Sequence, residues 1–346
     1  MPTLAYGYVA RGAIHGPAGP GSCPGGPGVG LVGLGSPIAP TWPQLYNAQT
    51  RLGVYPAGWA AMEMAWRVWS LRLSANPPPA GGPGVMTPSP VVTMMDATEK
   101  GQLSYHAGTA AGLRLALSTL APGAGAILLP FHLSRAIAHH AHFTYANASR
   151  PDLTVFSIVL AGPAFNYVVV WECKGHARNV GQAPLGAALN QSVAITGLTA
   201  LPGGAVLPAP VIPAAFVASQ VDVVGGAYRL QATDPSPPSG GFPIKPEHFL
   251  KLLQAYYAPF IEVLNSSGDR SARTYEGRLF ETVEIIPKIR FGMDAEIYAA
   301  LFSQSSDVSS DIGRVLSAGY KNLTPDELWI DETGLSLELE KGWASF

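Results

Sequence analysis

Residues 151–174 read PDLTVFSIVLAGPAFNYVVVWECK, two apolar runs separated by a short Gly-Pro segment. Runs rich in β-branched and aromatic residues are typical of strands. The segment therefore predicts one strand over Leu153–Leu160 and a second over Tyr167–Cys173, joined by a turn around Gly162-Pro163. The second run is apolar almost throughout, which predicts a strand that is covered on both faces and central in its sheet.

Charged residues stand at the ends of both predicted strands. Asp152 precedes the first strand, whereas Glu172 and Lys174 close the second. Alternate residues of a strand point to the same face, so Glu172 and Lys174 share a face and Cys173 points to the other. If the strands pair as a hairpin, two carboxylates and an ammonium group meet at one edge of an apolar sheet, where charges without partners are costly. A divalent cation such as Mg²⁺ would relieve the repulsion between the carboxylates, so the pattern predicts a metal site suited to phosphodiester hydrolysis.

The segments around this hairpin predict helices and further strands. Asp96-Ala97-Thr98-Glu99 matches a capping box and predicts a helix from Asp96 to about Leu120. The other predicted elements are helices over Leu133 to about His142 and over Gly181–Ser192, and strands over Ala214–Ser219 and Tyr228–Thr233. Together they predict an α/β fold, with a central mixed sheet of about four to six strands flanked by helices.

The arrangement Pro151-Asp152 … Glu172-Cys173-Lys174 resembles the signature of the PD-(D/E)XK nuclease superfamily, which has the restriction-endonuclease-like fold. The flanking elements agree, because a helix precedes the first acid and another helix follows the lysine. The resemblance covers about Asp96–Ser192. It implies that Asp152 and Glu172 bind the metal, that the backbone carbonyl of Cys173 also coordinates it, and that Lys174 is catalytic.

Two further site residues follow from the same resemblance, because members often add an acid from the first helix and a glutamine from the helix after the lysine. Glu99 is the candidate metal ligand from the first helix, and the alternative is a glutamate that only caps that helix. Gln191 is the candidate catalytic glutamine, with Gln182 as a second option, and the alternative is that Gln191 faces solvent. The implied cofactor is Mg²⁺ or Mn²⁺.

The implied activity is that of a Mg²⁺-dependent phosphodiesterase, a DNA endonuclease of bacterial restriction or phage defence. The residues themselves do not distinguish DNA from RNA as the substrate. A homodimer and partner proteins of a defence system are the assemblies that this role implies. The formal net charge of −2 gives no global basic surface. Phosphate contacts need only a local patch, which Arg150, Lys174, His176 and Arg178 would provide.

Two alternatives belong to other functional classes. The first is a nuclease-like fold kept as a binding or assembly module without catalysis. The second is a scaffold or membrane-peripheral protein whose uncharged Gly/Pro-rich stretches mediate association.

The histidines His132, His139, His140 and His142 do not share one helix face, so the sequence favours a polar helix end over a zinc site.

Pro-rich segments divide the chain into three predicted regions. Residues 1–90 form a Gly/Pro-rich extension with one amphipathic helix, residues 91–238 form the nuclease-like core, and residues 239–346 form an α+β region. The last region is either an appendage or the completion of the main sheet. Its predicted elements are a helix from Pro246 and strands over Leu279–Ile289 and Leu335–Leu339. The helix of the first region has apolar residues at helical spacing that are expected in the core, namely Trp59, Met62, Trp66, Trp69 and Leu73.

The composition bears on compartment and cofactor. The two cysteines, Cys23 and Cys173, do not suggest a disulfide framework, which fits a reducing compartment. Met1 to Gly16 lacks the pattern of a signal peptide, and the long uncharged stretches are broken by Gly and Pro. A soluble, cytoplasmic protein without membrane contact is therefore expected. Residues 28–33 match GxGxxG but lack the flanking strand and helix of a dinucleotide site, so they predict a loop.

Overall fold

The computed structural model describes residues 7–10, 41–53, 55–76, 87–119, 125–138, 142–145, 151–160, 164–176, 187–188, 191, 195–199, 216–224, 227–233, 242–243, 246–266, 268–302, 308–320 and 327–343. The helices with both ends in these ranges are α1 (Trp42–Arg51), α2 (Ala60–Ser74), α3 (Pro90–Met94), α4 (Ala97–Thr119), α5 (Leu133–Ala138), α6 (Pro246–Ser266), α7 (Ala295–Phe302) and α8 (Val308–Ser317). The strands are β1 (Gly7–Ala10), β2 (Ala75–Asn76), β3 (Thr87–Pro88), β4 (Ala126–His132), β5 (His142–Tyr145), β6 (Leu153–Val159), β7 (Ala164–His176), β8 (Ile195–Thr199), β9 (Phe216–Val224), β10 (Ala227–Thr233), β11 (Phe242–Pro243), β12 (Ser271–Tyr275), β13 (Arg278–Ile286), β14 (Ile289–Asp294), β15 (Leu328–Ile330) and β16 (Leu335–Leu339).

The larger sheet has seven strands in the order β1-β10-β9-β7-β6-β4, with the two-residue β11 pairing the beginning of β7. The β7–β9 and β1–β10 pairs are parallel, and the remaining pairs are antiparallel. The predicted α/β class with a mixed sheet is confirmed, although the sheet is one strand larger than expected. β7 lies between β6 and β9, which confirms the central position predicted from its apolar run.

β6 and β7 form the predicted hairpin, with Leu153 opposite Trp171 at the end that carries the charged residues. The predicted turn at Gly162-Pro163 lies outside the described residues. Both faces of β6 are covered, since Val155 packs in one hydrophobic cluster with residues of α4 and Phe156 packs in a second cluster with residues of α6.

α4 begins with the predicted capping box. The Asp96 carboxylate accepts hydrogen bonds from the backbone N–H groups of Thr98 and Glu99, at 2.7 and 2.9 Å. The Glu99 carboxylate accepts one from the backbone N–H of Asp96 at 3.1 Å. These reciprocal bonds satisfy donors that a helix start leaves unpaired, so the helix begins where the sequence predicts.

α4 packs closely on the carboxyl end of β7 because both backbones carry glycine at the contact. A Cβ atom added to Gly175 would lie 1.6 Å from the carbonyl oxygen of Ser104. A Cβ atom added to Gly108 would lie 2.7 Å from Cα of Gly175. The contact fixes α4 directly beside Lys174, the residue before Gly175.

The core face expected for α2 is wrong at three of its five residues, whereas Trp69 is partly buried and packs against a hydrophobic cluster. Trp59, Met62 and Trp66 are 58%, 63% and 49% exposed. A neighbouring stripe of mostly smaller residues is buried instead, comprising Ala60, Met64, Arg67, Val68, Ser70, Leu71 and Ser74. Two adjacent stripes of the helix have the spacing of a buried face, and the stripe with smaller side chains allows closer helix packing. Spacing alone does not determine which of the two stripes is buried.

The C-terminal region forms its own five-stranded antiparallel sheet, in the order β12-β13-β14-β16-β15. The strand predicted over Leu279–Ile289 is present as β13 but ends earlier, at Ile286, because the chain turns at Lys288, with φ of +65°, and continues as β14. Residues of α2, β6, α6 and β14 share one hydrophobic cluster, so elements of all three predicted regions pack together. The three-part division itself stays a prediction.

The helix predicted from Leu133 to His142 is shorter, since α5 ends at Ala138 and His142 begins β5. Among the helices in the described ranges, none is both long and apolar enough to cross a membrane.

A buried ion pair joins α1 to the C-terminal sheet. Nη1 of Arg51 lies 3.4 Å from Oδ2 of Asp331, and both side chains are fully buried. Nε of Arg51 also donates a hydrogen bond to the Tyr256 hydroxyl of α6 at 2.9 Å. The buried ion pair and hydrogen bond of Arg51 therefore connect α1 with α6 and with the turn that follows β15.

Candidate active site

The structure brings the two predicted acids together. The backbone N–H of Asp152 donates a hydrogen bond to Oε2 of Glu172 at 2.8 Å. The backbone carbonyl of Asp152 accepts a hydrogen bond from the N–H of Leu133 at 2.7 Å, which continues the pairing of β4 with β6. The backbone at position 152 is thus held on both sides, and it in turn positions the Glu172 side chain.

Lys174 completes the predicted group. Its Nζ contacts Oε1 of Glu172 as an ion pair, and the lysine side chain is 30% exposed whereas that of Glu172 is fully buried. Glu172 and Lys174 are two positions apart in β7 and so share a face of the sheet. Asp152, Glu172 and Lys174 therefore lie at one edge of the hairpin, as the sequence predicts.

Burial controls the electrostatics of the two acids. The pKa of Glu172 is raised to about 7, first by removal from water and next by the negative charge of Asp152, against the opposing effect of Lys174. Burial likewise raises the pKa of Asp152 to about 6, and the nearby charges of Lys174 and Arg67 act in the opposite direction. A buried pair of carboxylates resists full ionisation unless a cation compensates it.

The donor set fits a hard divalent cation. Oδ2 of Asp152 is buried and accepts no hydrogen bond from the described residues, whereas Oε1 of Glu172 is paired with the ammonium of Lys174. The described residues contain no group of three or more His, Cys, Asp or Glu side chains that could hold a metal ion. Two carboxylates nevertheless suffice for Mg²⁺, which commonly binds to one or two carboxylates and fills its remaining positions with water and substrate phosphate.

The other predicted site residues lie elsewhere or are only partly described. Glu99 is exposed and its carboxylate caps α4, so the structure does not bring it to the acid pair. The Cys173 side chain is a thiol buried in the cluster that contains Ala107 of α4, and a role for its carbonyl stays a prediction. Gln191 is helical and half-buried, whereas Gln182, Arg150 and Arg178 lie outside the described residues.

Sequence reasoning missed two groups beside the acids. Arg67 of α2 is 6% exposed, and its positive charge lowers the pKa of Asp152. Tyr105 of α4 has its phenol pKa raised by burial first and by the charge of Asp152 next. The fold alone brings these residues near Asp152, because they stand on helices far from it in the sequence.

An open cleft of about 470 Å³ lies between α2 and α4, and its lining includes Tyr105, the residue that responds to the charge of Asp152. Its lining residues are Trp66, Thr98, Gly101, Gln102, Tyr105 and His106. Nδ1 of His106 lies 3.1 Å from Nε2 of Gln49, so one ring nitrogen of this histidine is engaged by α1. Burial lowers the pKa of His106 to about 4, which keeps the imidazole neutral near pH 7.

Comparison of the chain with protein-family models, with curated proteins and with solved structures found no match.

Proposed function

We propose that the protein is a metal-dependent nuclease that hydrolyses phosphodiester bonds, with DNA as its substrate and endonucleolytic cleavage as its action. The observation that carries the proposal is the pair of half-buried Asp152 and buried Glu172, joined through the Asp152 N–H and accompanied by Lys174. Buried acids at the end of an apolar strand destabilise a fold unless they serve a ligand or partner.

The surrounding elements support a restriction-endonuclease-like core. α4 precedes the hairpin, β6 and β7 carry the two halves of the motif, and residues 187, 188 and 191 are helical after the lysine. β9 then returns to pair with the end of β7 in parallel, beginning with Phe216 opposite Val170. A role in bacterial restriction or phage defence stays an expectation from the resemblance.

Asp152, Glu172 and Lys174 have different roles in the proposed reaction. Once ionised, the carboxylates of Asp152 and Glu172 would hold Mg²⁺ or Mn²⁺, with Oδ2 of Asp152 unengaged by the described residues and Glu172 shared with the ammonium of Lys174. When bound, the ion supplies a Lewis acid and lowers the pKa of a coordinated water. Lys174 carries a cation on the same face, which stabilises the negative charge that develops on the phosphate. The charge of Arg67 favours ionisation of Asp152.

Cleavage assays with isosteric variants test the proposal. Purified protein is incubated with plasmid DNA, linear DNA and RNA in Mg²⁺ or Mn²⁺, and in EDTA. We expect cleavage of DNA that EDTA abolishes, and losses of about 100-fold or more in Asp152→Asn, Glu172→Gln and Lys174→Met. Glu99→Gln is the matched control, because that carboxylate caps α4 at the surface and Gln retains the capping acceptor. Cleavage that persists in all three site variants would exclude this mechanism.

One observation favours a second candidate function, a binding module without catalysis. Glu172 already has a cation partner in Lys174, so part of its charge is compensated by the chain itself. Such a module would bind DNA equally well in EDTA and in Mg²⁺ and would leave it uncut. A protein that binds DNA but does not cleave it with either metal ion would support this candidate over the nuclease.

A further inference from the structure

We infer that the cleft between α2 and α4 binds an unpaired nucleobase of the strand whose phosphodiester backbone reaches Asp152, Glu172 and Lys174. The inference rests on the proposed nuclease function and specifies the substrate class as single-stranded or locally unpaired nucleic acid.

The lining of the cleft has the chemistry of a base-binding site. Trp66 is 49% exposed although it is a large apolar side chain on a helix that packs in the core. Exposed aromatic rings are stacking platforms for nucleobases, and every base offers a face to stack on. Gln102 adds an amide with both donors and an acceptor, which matches the polar edge of a base. Thr98 adds a hydroxyl, and His106 adds a neutral ring.

The cleft adjoins the acid pair through two residues. Tyr105 lines the cleft, and its backbone nitrogen would lie 2.8 Å from a Cβ atom on Gly175, the residue after Lys174. Trp66 is followed directly by Arg67, whose charge acts on Asp152. Tyr105 and Arg67 are thus the described residues that connect the lining of the cleft with Asp152.

The dimensions favour an unpaired base over a duplex. A volume of about 470 Å³ falls in the usual range of pockets for small ligands. In a duplex, each base is stacked on its neighbours and its polar edge is paired, so it can enter such a pocket only after it leaves the stack. A single strand offers its bases without that cost.

Binding measured without metal tests the inference separately from catalysis. The anisotropy of a fluorescein-labelled oligo(dT) strand is followed in EDTA with wild-type protein, Trp66→Ala and Trp66→Phe. We expect Trp66→Ala to weaken binding roughly 10-fold or more, and Trp66→Phe to restore most of the loss, because stacking needs only an aromatic ring. Trp59→Ala is the matched control, since Trp59 is 58% exposed near the start of the same helix but does not line the cleft.

A strand of equal length with abasic sugars shows whether the base is the ligand. The effect of Trp66→Ala should disappear on this strand, and a duplex of the same sequence should bind more weakly than oligo(dT). Equal binding of oligo(dT) by wild type and Trp66→Ala would overturn the inference, and the proposed nuclease would still stand if Asp152→Asn abolished cleavage. A wild-type protein that neither binds nor cleaves any nucleic acid would remove both proposals.

Discussion

Replacing Glu172 by Gln should stabilise the metal-free protein at alkaline pH and change its stability little in mild acid. The pKa of the buried carboxyl is raised from 4.5 to about 7, first by burial and then by the charge of Asp152. Between these two values the folded state holds a proton that the unfolded state has lost. The unfolding free energy of the wild type therefore falls as the pH rises through this window, and the loss is complete above the folded pKa.

The magnitude follows from the size of the shift. A rise from 4.5 to about 7, at about 1.36 kcal/mol per pKa unit, corresponds to a penalty on the order of 3 kcal/mol for ionised Glu172. About 2–3 kcal/mol of it should develop between roughly pH 5 and pH 8. Glutamine carries no charge and retains an oxygen that can accept the hydrogen bond from the Asp152 N–H, so the variant removes the charge at nearly constant shape.

The assay is denaturant unfolding in EDTA at both pH values, with the difference between variant and wild type as the readout. The pH dependence of the wild-type unfolding free energy is by itself an unsuitable readout, because burial lowers the pKa of His106 and of His132 to about 4. Histidines with a lowered pKa make the unfolding free energy rise with pH, which opposes the effect of Glu172. Glu99→Gln should follow the wild type at both pH values. If Glu172→Gln differs from the wild type by the same amount in acid and in alkali, the buried-charge reasoning is refuted.

Two further predictions concern packing and the buried ion pair, and both are measured by denaturant unfolding. Gly175→Ala should lower the unfolding free energy by about 2 kcal/mol or more, because the added Cβ would overlap the Ser104 carbonyl. Gly101→Ala is the control and should be neutral or stabilising, since nothing lies within 4 Å of its added Cβ. Equal effects of the two substitutions would contradict the close contact at Gly175. Arg51→Met should lower the unfolding free energy by about 3–5 kcal/mol, because it leaves Asp331 buried without its cation. Adding Asp331→Asn to this variant should recover part of the lost stability, whereas additive losses would argue against the ion pair.

The sequence could predict the hairpin and the helix before it because their signals are local. The apolar run that includes Val168 to Trp171 demands a covered strand, and Asp96 with Glu99 marks a helix start by hydrogen bonds within one turn. The turn at Lys288 was missed because a lysine with positive φ carries no signal comparable to Asn-Gly. The buried face of α2 was missed because burial depends on partners distant in the chain.

The same distinction explains the site. Asp152, Glu172 and Lys174 lie on one hairpin, so register and alternation suffice to place them together. Arg67 and Tyr105 come close enough to interact electrostatically with Asp152 only because their helices pack near that edge, and neither residue has a motif of its own. Glu99 looked like a ligand by position in the helix, but its carboxylate is used in the cap.

The hydrogen bond that places Glu172 comes from the main chain of residue 152 and not from its side chain. Every amino acid except proline would still donate it. A descendant gene that lost the aspartate would therefore keep the glutamate and lysine in position and could regain the missing acid through one substitution. If the proposed function holds, loss of the acid at this position is therefore reversible over evolutionary time, whereas loss of the supporting architecture is not.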